Sequence, residues 1–505
     1  MARKGDIFSA FDLSGIPDRP GELGAFSIES LYVRYDFTYQ EFVDSFALLP
    51  PKVELPEPLK TVTHETTHLF HTLTTPFGFL IYALRRVQAF LVQNAINDLR
   101  RNYGLTVRLP LMKFARGLPE SIRKDTEHYF GMWFECELFI LFALDGFEAW
   151  NQQVLKNPYL TGLGPSDLFS RTQRWIARLY RDHERAVRRE FKRPPDEATL
   201  PFGDYRADKL GGKSNRSTDF YVLTQSTFLD DLNMIFVTES AGTIAESFGS
   251  SGRASDVWDR FRKTFDRRGI GNMFGVRLME SSMKASSASE FVLSYLALSE
   301  LALFGPVLPQ HRAFRAGKHA DLWELMPFLR WQRLVGAAGK IRPMRGMEDH
   351  ERYVGELCQA LGWIDPTTLT RFTADRHVSM ENDTVEAIYV AASGYRRADP
   401  TVFLDYGWVL TGDGPEHARF LSLFNFPVVQ YRDRTLYHRD KELLLGLTRW
   451  HLLRVALRTI LLRDRVEIQM PYRPKDDEEV AFMRQTLIDD LQQAIGIRVD
   501  RLTLT

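Results

Sequence analysis

Apolar residues recur every three to four positions along most of this chain, and strict alternation is confined to a few short stretches. A helix is predicted from about Leu59 to Thr74, because Pro76 and Gly78 interrupt the chain just beyond it. A second, from Phe79 to about Tyr103, carries Leu80, Ala83, Leu84, Val87, Phe90 and Leu91 at helical spacing. The pattern stays helical between roughly 120 and 200, and a helix pair is expected at about 226–249 and 285–304. Further helices are expected near 350–361, 383–396, 440–463 and 476–495. Alternation in Ser27–Phe37 predicts one or two strands, and 427–431, 466–470 and 497–504 are strand candidates. The predicted fold class is mainly α with minor β. Four regions are expected: an extended segment 1–58, a core 59–305 with a helical insertion at about 105–225, a proline-interrupted boundary 306–350, and a mixed α/β region 351–505.

Composition narrows the setting. The 505 residues are 44% hydrophobic and 26% charged, an ordinary globular profile with ample material for a core. Lys plus Arg and Asp plus Glu both count 65, so no overall field recruits nucleic acid or an anionic membrane. The two cysteines, Cys136 and Cys358, are far apart, which rules out a disulfide framework or a thiolate-rich zinc site as an organising feature. The first residues lack a long apolar run with a cleavage pattern, and the best apolar runs are short or broken by charge. A cytoplasmic protein without a membrane partner is expected.

The chemistry concentrates in Thr63-His64-Glu65-Thr66-Thr67-His68, which contains H-E-x-x-H. On a helix, His64 and His68 stand one turn apart on one face, so both imidazoles can reach one metal ion. Glu65 lies beside them, where a carboxylate can take a proton from a water at the metal. Catalytic zinc takes three protein ligands and a water, so a third ligand is required. One familiar extension places His or Asp six residues after the second histidine and Gly three after it; here those positions hold Thr74 and His71. His71 itself lies ~10 Å along the axis from His64, too far for the three to meet one ion. A glutamate from another helix is the better source. In Leu232–Glu246, Glu239 and Glu246 sit two turns apart on a small, apolar helix, and Gly242 and Ala245 would allow close packing against the first. Carboxylates on such a face are costly unless paired or bound to metal. Glu239 is the favoured ligand; Glu246 and the pair Glu135/Glu137 are the rivals.

These residues resemble the gluzincins, H-E-x-x-H peptidases with glutamate as third zinc ligand. Thr238-Glu239-Ser-Ala-Gly242-Thr-Ile-Ala-Glu246 is similar to their N-E-G-x-A-x-x-x-x-E-like strings in the ligand, small-residue and second-glutamate positions, and lacks the preceding Asn. Thr74-Thr75-Pro76-Phe77-Gly78 is similar to a T-T-x-[FY]-G string that comes after H-E-[YT]-x-H in a group of bacterial proteins. The resemblance spans about 60–305 in short islands. The roughly 170 residues between motif and Glu239 imply an inserted helical region. The resemblance implies a zincin-like helical core and a zinc-dependent metallopeptidase acting on a peptide or protein. His64, His68 and Glu239 would be the Zn2+ ligands and Glu65 the general base. It also implies a donor for the oxyanion, usually Tyr or His, some tens of residues after the ligand glutamate. Tyr295 is the only tyrosine between Glu239 and Tyr353; an amphipathic core tyrosine is the competing reading. The alternatives for the whole chain are a zincin-fold regulatory or binding protein with little or no hydrolysis, and a structural zinc protein with a closed site.

Arg171, Arg174, Arg178, Arg181, Arg185 and Arg188 make a basic stripe at helical spacing. A solvated face is the default, and docking of an acidic partner the alternative. Other strings fail: Gly212-Lys213-Ser214 lacks the upstream glycine of a phosphate loop, because Ala207 holds that place, and Gly269-Ile-Gly271 comes after a charged run in place of a strand.

Overall fold

The computed structural model describes residues 24–28, 31–47, 56–126, 128–134, 136–137, 241–242, 279–280, 282–304, 327–363, 428–433, 441–471, 476–497 and 502–504, with a few short pieces between them. Helix takes up 72% of these residues, so the described part of the chain is mainly α-helical. In chain order the elements are strands β1 (Gly24–Ser27) and β2 (Tyr32–Tyr35) and helices α1 (Tyr39–Ala47), α2 (Glu57–Thr74), α3 (Pro76–Arg101) and α4 (Leu111–Arg116). Then come α5 (Ala288–Leu303), α6 (Pro327–Ala338), α7 (His350–Leu361), β3 (Val428–Gln430), β4 (Leu436–Tyr437), α8 (Lys441–Leu462), β5 (Val466–Ile468), α9 (Asp477–Ile495) and β6 (Leu502–Leu504). Among the described residues no helix is long and apolar enough to cross a membrane.

Contacts divide the chain into two units that do not follow chain order. One comprises Met1–Phe42, Ile81–Ile140 and Asn425–Thr505; the other comprises Val43–Leu80 and Leu141–Phe424. The first unit holds a four-stranded sheet, ordered β1-β2-β3-β4, in which β2 pairs parallel with β3 and the outer pairs are antiparallel. Buried Tyr32 hydrogen-bonds Thr448 of α8, and burial pushes its phenol well above the usual range. A two-stranded parallel sheet pairs β5 with β6, and α9 runs between them in sequence. That helix packs on α8, where Asp490 accepts two hydrogen bonds from Arg449.

Helix α1 begins where an extended segment was expected. Thr38 caps it: its hydroxyl accepts from the Glu41 amide at 3.1 Å, and its own amide donates to the Glu41 carboxylate at 2.6 Å. This reciprocal capping box overrides the β-like character of the neighbouring aromatic residues. Glu41 also pairs with Arg432, and the bonds from Thr38, together with the weaker effect of that cation, hold its carboxyl below the ordinary range.

The interior of this unit contains a charged network. Both carboxylate oxygens of Glu137 are engaged: one with Arg85 and the Gln88 amide, the latter at 2.7 Å, and the other with Arg458 at 3.0 Å. Gln88 also accepts from Arg85 at 2.9 Å and donates to the Trp133 carbonyl. Arg85, Gln88 and Glu137 are each at least 96% buried, so these contacts offset a large desolvation cost.

In the second unit α5 is buried continuously from Phe291 to Leu303 and packs against α6 and α7. Its N-cap Ser287 accepts from the Glu290 amide, and Glu290 accepts from the Ser286 hydroxyl and amide; the bonds from Ser286 hold the Glu290 carboxyl low. At the other end Arg330 of α6 donates to the carbonyls of Leu301, Ala302 and Phe304 at 3.0 Å each, while its guanidinium lies 3.7 Å from the Trp363 ring centroid. A cation on these carbonyls also opposes the negative end of the helix dipole. Helix α6 thus falls within the 306–350 stretch read from its prolines as a boundary, and Pro327 marks its first turn.

Replacing Glu137 with Gln leaves the buried Arg85 and the half-buried Arg458 guanidinium groups facing a neutral amide. The variant is expected to lose about 3–5 kcal/mol of stability, read as a lower urea midpoint. An unchanged midpoint would show that the network contributes nothing.

Candidate metal centre

Helix α2 starts at Glu57 after Pro56, with Pro58 in the first turn, where a missing N–H removes no helical bond. From Thr63 to Thr74 every residue is buried, although Thr and His are mediocre helix formers. Three of the threonine hydroxyls turn back onto the helix, which offsets the cost of burying them. Thr63 donates to the Leu59 carbonyl, Thr67 to Thr63 and Thr74 to Phe70, all at 2.8–2.9 Å. Thr75, which ends the helix, donates to the His71 carbonyl at 2.6 Å.

On this helix the Nε2 atoms of His64 and His68 stand 2.9 Å apart, with the rings nearly perpendicular at 85°. A hydrogen bond between them requires one Nε2 to carry the proton and the other to accept it. With Zn–N distances of about 2.0–2.1 Å, two nitrogens of a tetrahedral site stand about 3.3 Å apart. The pair therefore has to open by only a few tenths of an ångström to hold an ion, which side-chain torsions accommodate. Two imidazoles at this spacing are a donor pair of the kind that zinc takes, and the third protein ligand that a catalytic site requires is not part of the pair.

Within Thr63–Thr74 the three most exposed residues are His68 (9%), His64 (8%) and Glu65 (7%), and the two histidines share one face; Thr63 and Leu69 are at 0%. Along that span, solvent reaches the helix most readily at the motif. His71 is 1% exposed, two turns from His64, and does not join the pair.

Of the other expected residues, Glu239 and its rivals Glu246 and Glu135 lie outside the described residues, as does the arginine stripe at 171–188. Their neighbours Ala241, Gly242 and Ile244 are helical and buried, and the backbone at Gly242 lies against the His64 ring. The small residue singled out at 242 thus has the close-packing role its size implied. Glu137, the remaining rival, is taken up by two arginines and a glutamine. Among the described residues no third His, Cys, Asp or Glu completes a metal-binding group. Tyr295 is fully buried in α5, its ring stacked 6.0 Å from Phe291 and edge-on to Trp331 at 5.9 Å, the surroundings of a core residue.

The string Thr74-Thr75-Pro76-Phe77-Gly78 acquires a physical explanation that spacing alone did not supply. Two threonine hydroxyls occupy terminal carbonyls of α2, Pro76 opens α3, and Gly78 passes so close to α2 that a Cβ there would lie 1.8 Å from the Thr72 carbonyl oxygen. The turn that closes the motif helix is thus built from this string. No family model, no curated protein and no solved structure matches the chain.

Because the obstacle at Gly78 is backbone, Gly78→Ala cannot be relieved by a rotamer change. We expect a loss of about 3 kcal/mol or more, on the scale of severe overpacking, measured by thermal unfolding. A variant as stable as the parent would mean that the turn between α2 and α3 is more open than described.

Proposed function

We propose that this chain is a zinc-dependent hydrolase, a metallopeptidase, with His64, His68 and Glu239 holding the metal and Glu65 as general base. One observation carries the reading: two imidazole nitrogens converge to 2.9 Å at the most exposed positions of the buried span Thr63–Thr74, with a buried carboxylate next to them in sequence. Imidazole and carboxylate groups at such depth are costly unless paired or bound to a cation. The reading brings with it a zincin-like helical core around α2 and a mixed α/β C-terminal region.

Zinc, when bound, supplies a Lewis acid for the scissile carbonyl and acidifies a water molecule. Glu65 takes a proton from the attacking water as the new carbon–oxygen bond forms, and returns it to the amine nitrogen as the carbon–nitrogen bond breaks. The low exposure of the motif limits bulk water around that carboxylate and strengthens its interactions with charge. Glu239 is preferred as third ligand because it precedes Gly242 by three residues, a spacing that a helix would place on the same side, and Gly242 lies against His64. Tyr295 has no part in this scheme. A peptide or protein is the substrate class; the stripe from Arg171 to Arg188 is read as a solvated face, with docking of an acidic partner as the alternative.

Purified protein is expected to carry about one zinc per chain by elemental analysis, and His68→Ala to carry almost none. Protein that contains no zinc and gains no thermal stability from added zinc would overturn the reading. Glu65→Gln keeps shape and ligands, so zinc should stay while peptide hydrolysis falls by roughly 10² or more; undiminished hydrolysis would remove Glu65 from the mechanism.

The choice of third ligand is tested separately. Glu239→Ala should sharply weaken zinc binding in a chelator competition, and Glu246→Ala should weaken it less, through loss of support around the ligands. The reverse ranking would move the ligand by two helical turns.

A further inference from the structure

We infer that Gly242 is a positioning residue: its missing side chain seats the imidazole of His64 so that Nε2 is turned toward His68. The inference rests on the proposed metal site for its purpose, and on geometry alone for its existence. A Cβ built at Gly242 would stand 2.9 Å from Nδ1, 2.9 Å from Cε1 and 3.2 Å from Cγ of His64. These three atoms form one side of the ring. The remaining nitrogen, Nε2, is the one that meets Nε2 of His68 at 2.9 Å. The ring is therefore bounded on one side by bare backbone and on the other by the second histidine.

A glycine within a helix is destabilising relative to alanine, and here it stands between buried Ala241 and Ile244 in a helical segment. The φ angle of Gly242 is not among those that favour glycine, so backbone conformation does not explain it. The contact with His64 does. Alanine at this position would force the imidazole to tilt or its helix to withdraw, and either movement alters the spacing of the two Nε2 atoms. Orientation of a ligating histidine by what touches its other edge commonly changes metal affinity by 10–100-fold.

The test compares the full-length wild type with Gly242→Ala, His64→Ala and the double variant. Gly242→Ala should bind zinc about 10–100-fold more weakly in a chromophoric-chelator competition. The visible absorption of its cobalt(II)-loaded form should also shift, because a displaced ring changes the ligand field. In metal-free protein, Gly242→Ala should lower the thermal midpoint when His64 is present and leave it unchanged or raise it in the His64→Ala background, where only the helix preference for alanine remains. Zinc affinity and cobalt spectrum equal to wild type would overturn the proposal, as would the same midpoint loss in both backgrounds. If Gly242→Ala does not fold, folding of the double variant supports the seating of the ring and its failure overturns it. If the wild type takes up no zinc, the metal reading falls, and the midpoint comparison still decides whether Gly242 seats His64.

Discussion

A helix whose polar side chains are buried has to satisfy them from within the fold, and α2 is governed by that requirement. Of the twelve buried residues from Thr63 to Thr74, nine are polar. Thr63, Thr67 and Thr74 meet the demand locally by donating to carbonyls one turn back, which removes them from competition for other partners. The histidines cannot do the same. An imidazole reaches away from its own helix, so each must find a partner in space, and His64 and His68 find each other.

The same requirement shapes the rest of both units through arginine. Arg330 covers three carbonyls at the end of α5, Arg100 donates to the Ile495 carbonyl at the end of α9, and Arg85 joins the Glu137 network. For Arg330 and Arg85 a planar, multiply donating cation answers several acceptors that a lysine could cover only in part. At the end of α9 the guanidinium also occupies the space beside Gly496, whose left-handed φ of +63° ends the helix. Helix termini here are held as much by tertiary contacts as by their own caps.

Local features of this fold were legible because they depend on local spacing. Periodicity marked α2, α5, α7, α8 and α9 to within a residue or three, and the H-E-x-x-H spacing implied the convergence now seen between His64 and His68. The small size of Gly242 pointed to close packing, and the structure shows which ring it admits. Helix α1 was missed although Thr38-x-x-Glu41 is a capping box, because the aromatic and β-branched residues before it suggested a longer extended segment. Long-range pairing left no local signal. Arg85 and Arg458 lie tens to hundreds of residues from Glu137, so that glutamate read as a spare carboxylate instead of the centre of an ion network. Nor does spacing reveal that Tyr295 faces Phe291 and Trp331, since an amphipathic tyrosine serves a core or a site equally well.

The parallel pairing of β2 with β3 joins Tyr32 to Val428, so the sheet's central strands are separated by about 396 residues of chain. A ribosome adding about 5–20 residues per second needs roughly 20–80 s to cover that distance. Throughout that interval the emerged segment around Tyr32–Tyr35 has no β3 to pair with, while Val43–Leu80 and Leu141–Phe424 supply the whole of the other unit before Asn425 is made. The order of synthesis therefore lets the unit that contains α2 assemble first and obliges the sheet to wait. During that wait its aromatic strand is exposed to the chaperones and the aggregation that any unpaired edge invites.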